Sequence, residues 1–386
     1  MNFIALKMLI GDRAKYIGIL TGLTFASLLI TQQLGIFTGI MARAYGAISD
    51  ASLPDIWVMD SKVQYIDDIK PLKDTQVLRV RGVKGVEWAV PLYRGLLRVR
   101  MEDGNFQTCS VMGLDDATLI GGPSEMVQGK LSDLRQSDSV IVDIVASQKK
   151  LAKPPLTPDG ERIPLKLGDT LELNDHRAVV AGFFRGSKVF MAFPVIYTTY
   201  SRTKIFAPQE RKSLSFILVK AKPGQDIAAL CDRIQRQTGL GAHTKDQFKM
   251  ITIQYFLKNT GIPVNFGIAV TLGFVVGVII AGQTFYNFTV ENLRYFGTLK
   301  AMGATNGKLL RMIILQALVV GSIGYGLGVG AASSIGYLAR NTELAFKLPW
   351  QILVISGTAI VIICLISALL SIHKVMKLEP AIVFKG

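Results

Sequence analysis

Four stretches without a single charged residue, each long enough to cross a bilayer, leave this chain few architectures to choose from. They fall within 16–42, 259–290, 312–339 and 348–373, and a hydrocarbon core of roughly 30 Å needs about 20 helical residues. The first, with Lys7, Arg13 and Lys15 ahead of it and Ala42-Arg43-Ala44 behind, has the outline of a secretory signal. Its apolar run is too long for a cleavable one, so it reads as a signal anchor. The second exceeds the bilayer and either tilts or continues beyond it as a stalk.

Charge sets the direction of insertion. Lys7, Arg13 and Lys15 lie at the start, Arg294, Lys300, Lys308 and Arg311 between the second and third runs, and Lys374, Lys377 and Lys385 in the tail; the loop between the third and fourth offers only Arg340 and Lys347. By the bias of basic loops toward the cytoplasm, both termini and the middle loop are expected inside. The expected fold is an α-helical membrane protein with four transmembrane helices (1 + 3) and a large α+β extracytoplasmic domain between helices 1 and 2. Its segments are a cytoplasmic amphipathic helix at 1–15, helix 1 at 16–42 and the outer domain at 43–258. Helix 2 with a stalk at 259–290, a cytoplasmic coupling helix and loop at 291–311 and helix 3 at 312–339 follow. A short outer loop at 340–348, helix 4 at 349–373 and a cytoplasmic tail at 374–386 complete the chain. A composition that is 50% apolar with a net charge of +15 agrees with this plan.

The middle loop carries its own pattern. Leu293, Phe296, Leu299 and Met302 recur every third residue, a stripe along one side of a short helix. Gly303 is its natural stop, and Thr305 or Asn306 can cap the helix that follows. Such a piece is either a small amphipathic helix across the base of a transmembrane hairpin or a basic loop beside anionic lipid. At the other end of the chain, residues 2–14 alternate Phe3, Ile4, Leu6, Met8, Leu9 and Ile10 with Lys7, Asp12 and Arg13, which fits a helix lying on the inner leaflet or a plain extension of helix 1.

Within the apolar runs, glycines recur four apart at Gly18/Gly22, Gly35/Gly39, Gly273/Gly277 and Gly324/Gly328, with Gly326/Gly330 overlapping the last. Small-xxx-small faces let helices approach closely, either within the chain or between copies. No Asp, Glu, Lys or Arg falls inside any run, which disfavours an ion or proton pathway. In the outer region, 77–80, 86–91, 96–101 and 107–112 read as strands, and 163–173 as strand, turn and strand around Gly168-Asp169. Residues 153–160 form a proline-rich loop. Residues 223–238 show helical spacing at Ile227, Leu230 and Ile234, with Gly239 as a stop.

The run Glu291, Arg294, Phe296-Gly297-Thr298-Leu299-Lys300-Ala301-Met302-Gly303-Ala304 resembles the coupling segment of the FtsX/MacB-type ABC transporter permeases, whose usual form is E-x-x-R-E-F/I-G-x-L-K/R-A-x-G-A. Tyr295 stands where the family commonly has an acid, and its aromatic character is closer to the DevC-like branch. Further similarity runs through Val83-Lys84-Gly85-Val86, Val111-Met112-Gly113-Leu114-Asp115, Leu167-Gly168-Asp169-Thr170-Leu171 and Val179-Val180-Ala181-Gly182, which resemble the family's periplasmic core domain. The tail, Leu378-Glu379-Pro380-Ala381-Ile382-Val383-Phe384-Lys385, resembles its closing L-x-P-A-x-x-L/F-R/K.

The resemblance implies a permease subunit in the bacterial inner membrane with its large domain in the periplasm. It implies docking of Phe296, Leu299, Lys300, Ala301, Met302 and Gly303 into a separate ATP-binding subunit, with Glu291 and Arg294 orienting the segment. The other partners it implies are a second copy or a homologous permease, membrane lipid, a periplasmic adaptor (membrane fusion protein) and an outer-membrane duct. ATP and magnesium would be held by the partner, and this chain would carry no cofactor or metal of its own. Export of a lipid, peptide or small amphiphile is the leading function. Activation of a periplasmic partner such as a cell-wall hydrolase, or lipoprotein extraction, is the alternative, and a receptor without an ATPase remains if the segment is only a loop.

Catalytic chemistry is not legible. Gly303-Ala304-Thr305-Asn306-Gly307-Lys308 has three residues between its glycines where a phosphate-binding loop needs four, and Leu309 where Ser or Thr should follow. His176, His243 and His373 show no metal-type spacing. Cys109 and Cys231 can pair in an oxidising compartment or stay free, and Cys364 reads as a packing residue. The outer region's charge is scattered, which argues against nucleic acid as a partner.

Overall fold

Glycines set how closely the long helices approach one another. A computed structural model of the chain describes residues 2–376 apart from 52, 156, 158–159, 188–189, 191–192, 209–212 and 343. It divides into two compact units, 1–40 with 261–386, and 41–260.

The first unit contains α1 (Asn2–Gly11), α2 (Arg13–Ala44), α9 (Ile262–Glu291), α10 (Leu293–Ala301), α11 (Asn306–Leu338) and α12 (Trp350–Met376). By length and composition α2, α9, α11 and α12 can each cross a membrane. A Cβ on Gly22 would come 2.4 Å from Ile280 Cγ2, and one on Gly277 would come 2.7 Å from Ala26 Cβ. Gly18 faces Thr284 and Gly273 faces Leu29 and Ile30, so α2 and α9 present glycines to each other. On α11, a Cβ at Gly324 would lie 3.2 Å from the Thr24 backbone nitrogen, and one at Gly328 would lie 2.7 Å from the Thr24 carbonyl oxygen. The glycine pairs 18/22, 273/277 and 324/328 therefore serve contacts inside the chain, where van der Waals packing must replace the hydrophobic effect. Gly326 and Gly330 point elsewhere, with nothing within 4 Å. Helix α1 buries Ala5 and Leu9 but leaves Phe3, Ile4 and Ile10 exposed. It is tied to α11 by the buried Gln316, whose Nε2 donates to the Ala5 carbonyl at 2.7 Å.

The second unit is built on a ten-stranded sheet. Its strands are β1 (Ile56–Met59), β2 (Val86–Arg100), β3 (Phe106–Leu114), β4 (Glu125–Gln128), β5 (Ser139–Asp143), β6 (Thr170–Leu173), β7 (His176–Arg185), β8 (Val195–Thr199), β9 (Phe216–Ala221) and β10 (Gly241–Thr244). Their order is β10-β1-β9-β2-β3-β8-β5-β7-β4, with β6 pairing both β2 and β7; the short helices α3 (Gly46–Asp50), α5 (Ile144–Gln148) and α6 (Tyr200–Phe206) precede β1 and follow β5 and β8 respectively. Both faces are covered. In β1, Ile56 and Val58 enter one core while Trp57 and Met59 enter the other; in β9, Ile217 and Val219 oppose Phe216 and Leu218 in the same way. A strand buried on both sides loses the apolar–polar alternation and reads as a continuous apolar run.

Several sequence expectations need correction. Residues 77–80 are not a strand but belong to the helix α4 (Thr75–Arg81), because Val77 and Val80, three apart, share its buried face while Leu78 is exposed. The two strands expected at 86–91 and 96–101 are one, β2. Its first half pairs with β9 and its second with β3, and the Ser215 hydroxyl accepts from Arg94 N and donates to Arg94 O where the partner changes, both at 2.9 Å. Over Val86–Leu92 the strand pairs with β9 and, among the described residues, with no strand on its other side, an edge-like setting in which the missing donor of Pro91 can be left out of the ladder. Of the expected strand, turn and strand at 163–173, the first leg is a single bridge between Lys153 and Ile163, since Pro164 has no donor to extend it. The turn at Gly168 has φ +86°, and β6 follows.

Helix α7 (Ile227–Thr238) starts later than 223 because Asp226 caps it, accepting from Ala228 N and Ala229 N; it ends at Gly239 with φ +74°. Helix α8 (Lys245–Asn259) was not anticipated, although Thr244 and Gln247 form a capping box at its start. The tail motif at 378–385 and part of the loop at 153–160 lie outside the described residues, as does the side chain of His373.

Cys109 and Cys231 lie in the same core cluster and both are free thiols. Burial pushes both upward, Cys231 to about 11 with Asp232 and Asp226 adding to the effect, so neither carries appreciable thiolate at neutral pH. Maleimide labelling without reductant is expected to leave both unreacted in the native protein and to count three thiols after denaturation in detergent. A count of one, with the remaining label mapped to Cys364, would establish a Cys109–Cys231 bridge.

Candidate functional site

The stretch 291–305 folds as a corner, a short helix and a second corner, each made by local chemistry. Asn292 closes α9 and opens α10. Its backbone N–H and its Nδ2 both donate to Phe288 O, at 3.1 and 2.8 Å, while its own carbonyl accepts from Tyr295 N and Phe296 N. At the other end, Gly303 N donates to Lys300 O and Ala304 N to Leu299 O, both at 3.0 Å, with Gly303 at φ +90°. This is the paired bonding of a Schellman cap, which needs a residue that enters the left-handed region freely. Thr305 then takes the N-cap position of α11 with extended backbone, and its carbonyl accepts from Lys308 N and Leu309 N; its hydroxyl makes no cap bond.

The two corners fix which side of α10 faces inward. Phe296 is fully buried and Gly297 is buried, with Leu293, Leu299 and Ala304 packed against the same helical core. Arg294, Tyr295, Thr298, Ala301, Met302 and Gly303 are exposed, Tyr295 to 63% and Met302 to 70%. The docking set read from the sequence is thereby split. Phe296, and in part Leu299, do not face outward: the threefold stripe drifts around the helix, so its middle members are held by the bundle and its last, Met302, comes out the other side. Lys300 is half-buried.

Glu291 pairs with Lys15, which also pairs with Asp12. The bonded Lys15 ammonium holds the Asp12 carboxyl below its ordinary value. Lys7, Gly11, Asp12 and Arg13 line an open groove of about 700 Å³ together with Asn292 and Tyr295. The start of the chain therefore flanks the middle loop, a relation that no motif in either stretch announces. Over residues 1–15 and 291–311 there are seven basic side chains against two acidic, a face suited to an acidic surface. Among the described residues no cluster of His, Cys, Asp or Glu could hold a metal ion.

Comparison with known proteins gives this geometry its context. Residues 17–237 match the family model of the MacB-like periplasmic core domain, and residues 267–380 match that of the FtsX-like permease C-terminal domain. An uncharacterized ABC transporter permease of Mycobacterium tuberculosis strain H37Rv is 24% identical over 369 residues, covering 95% of this chain and 93% of its own length. The permease YknZ of Bacillus subtilis is 20% identical over 226 residues, 55% of each chain. Among solved structures, the periplasmic region of MacB from Actinobacillus actinomycetemcomitans aligns with a TM-score of 0.37 at 16% identity, covering 55% of this chain and 96% of that one. The extracellular domain of YknZ aligns at 0.34 and 12% identity, covering 50% and 99%. With one family model spanning more than half of the chain and a second covering the helices that follow, this protein belongs to the FtsX/MacB-type permeases of ABC transporters.

Proposed function

We propose that the chain is the mechanical half of an ABC transporter, receiving the motion of a separate ATP-binding subunit on the outward face of α10 and passing it along α9 to the outer unit. The observation that carries this reading is the division of α10 into an inward face locked into the bundle through Phe296 and an outward face of Tyr295, Thr298, Ala301 and Met302 that the described residues leave exposed. A helix held on one side moves as one piece with the bundle when it is pushed on the other, since packed elements switch between arrangements more readily than they deform. ATP and magnesium belong to the partner in this reading, and the chain itself is not an enzyme. Both termini and α10 lie in the cytoplasm and the outer unit in the periplasm, as the basic loops indicate. Two permeases and two ATPases make the working assembly, with a periplasmic adaptor and an outer-membrane duct completing export of an amphiphile. Purification from the native membrane after crosslinking through Thr298→Cys should bring down an ATP-binding subunit. If no ATPase is captured at this position, the coupling reading falls.

A further inference from the structure

The outer unit contains a cavity of about 410 Å³ beside a second of about 390 Å³, the two sharing Tyr65, Asp67 and Arg94. This lies in the size range of small-molecule sites. Five rings line the larger one: Tyr65, Phe190, Phe193, Tyr255 and Phe256. They meet at varied angles. Tyr65 and Tyr255 stack at 4.3 Å, Phe256 stands edge-on to Tyr65, and Phe190 lies tilted 4.5 Å from Phe256. Such a wall presents ring faces as well as edges, and a ring face carries the negative side of the quadrupole.

The ion pair of Arg94 and Asp67 in the wall is lopsided. Arg94 is only 3% exposed, and its Nε and Nη2 both donate to the same oxygen, Asp67 Oδ1, at 2.9 and 2.6 Å. Its Nη1 is directed at the Met112 sulfur. The guanidinium is thus spent on one side of the carboxylate. Asp67 Oδ2 accepts no hydrogen bond among the described residues, on a side chain that is 33% exposed. Asp68 lines the second cavity and is paired with Lys70, which lines neither. The Tyr65 hydroxyl has its pKa raised, by burial first and then by Tyr255, Asp68 and Asp67, so the field of the two carboxylates reaches the ring wall.

We propose that this cavity binds an organic cation of drug size, its apolar body among the rings and its positive charge between the ring faces and Asp67 Oδ2. Aromatic faces beside a carboxylate are the chemistry that recognises ammonium-type charge, and the buried Arg94 holds Asp67 in place through Oδ1 without occupying its second oxygen. The position adds a consequence. Tyr255 and Phe256 sit near the end of α8, Thr260 closes the wall, and the chain enters α9 at Ile262. An occupant therefore bears on the segment that leads directly into a membrane helix. That this occupant is cargo or effector rests on the permease reading; that it binds does not.

The test uses the full chain in zwitterionic lipid nanodiscs without any ATPase, so its outcome is independent of coupling. Equilibrium dialysis of tetraphenylphosphonium and, in separate samples, of its anionic counterpart tetraphenylborate is corrected for binding to empty nanodiscs. Saturable binding of the cation alone is expected. The double variant Tyr65→Leu/Tyr255→Leu, which keeps apolar bulk and the Asp67–Arg94 pair, should raise Kd at least tenfold while the protein remains folded and monodisperse. Asp67→Asn should do likewise where it folds. Equal binding of the borate, no saturable binding of the phosphonium, or phosphonium affinity unchanged in the leucine variant would each overturn the assignment.

Discussion

Gly328→Leu should remove most folded protein from the membrane, whereas Gly326→Leu, two residues away on the same helix, should leave it nearly untouched. At Gly328 the first added carbon would lie 2.5 Å from Ser27 Cβ and 2.7 Å from the Thr24 carbonyl oxygen. The second obstacle is backbone, which cannot rotate away as a side chain does. Overpacking a well-filled core costs about 1–3 kcal/mol, and with three more carbons to place against a helix backbone the upper end or beyond is expected. At Gly326 an added Cβ meets nothing within 4 Å, and leucine replaces glycine with a better helix former. Yield of monodisperse protein and unfolding temperature in mild detergent read both variants. Should Gly328→Leu fold normally while Gly326→Leu loses self-association, the glycine row would be serving contacts between copies and the packing of α2 on α11 would be wrong.

That contrast also marks what the sequence alone could and could not show. The four long helices were legible because a bilayer demands about 20 apolar residues in a row, a signal that no packing detail can mask. Which glycines face inward was not, because Gly324, Gly326 and Gly328 satisfy the same four-residue spacing in overlapping sets and only the neighbouring helix distinguishes them. In the outer unit, Val77-Leu78-Arg79-Val80 has the β-branched character of a strand, yet two valines spaced three apart are buried by a helix instead; propensity over four residues is too weak to resist that. The capping box at Thr244 and Gln247 is a helix start written in the sequence, short though its signal is. The cavity lined by Tyr65, Arg94 and Tyr255 was beyond reach, since its walls come from separate segments, as far apart in the chain as Tyr65 and Tyr255, that share no motif. On α10 the motif located the site, but the stripe alone could not tell anchor from contact.

That last distinction yields a sharp pair of variants. Phe296→Ala should destabilise the helical unit by about 3–5 kcal/mol, the usual cost of emptying a fully buried aromatic site, because the ring is entirely enclosed by the bundle. Met302→Asp should leave the unfolding temperature unchanged, since a side chain 70% exposed has little packing to lose, yet lower capture of the ATP-binding subunit at least tenfold, which corresponds to about 1.4 kcal/mol. Interfaces draw disproportionately on a few exposed apolar and aromatic anchors, and an aspartate in their midst must be desolvated without a partner. Phe296→Asp, the choice the motif first suggests, would confound the two effects by placing a charge in the core. Thermal unfolding and quantitative pull-down on the same preparations separate them. If Met302→Asp binds the ATPase as wild type does while Phe296→Ala folds normally and loses it, then α10 must turn over on docking, and the ring buried in the free chain would be the contact itself.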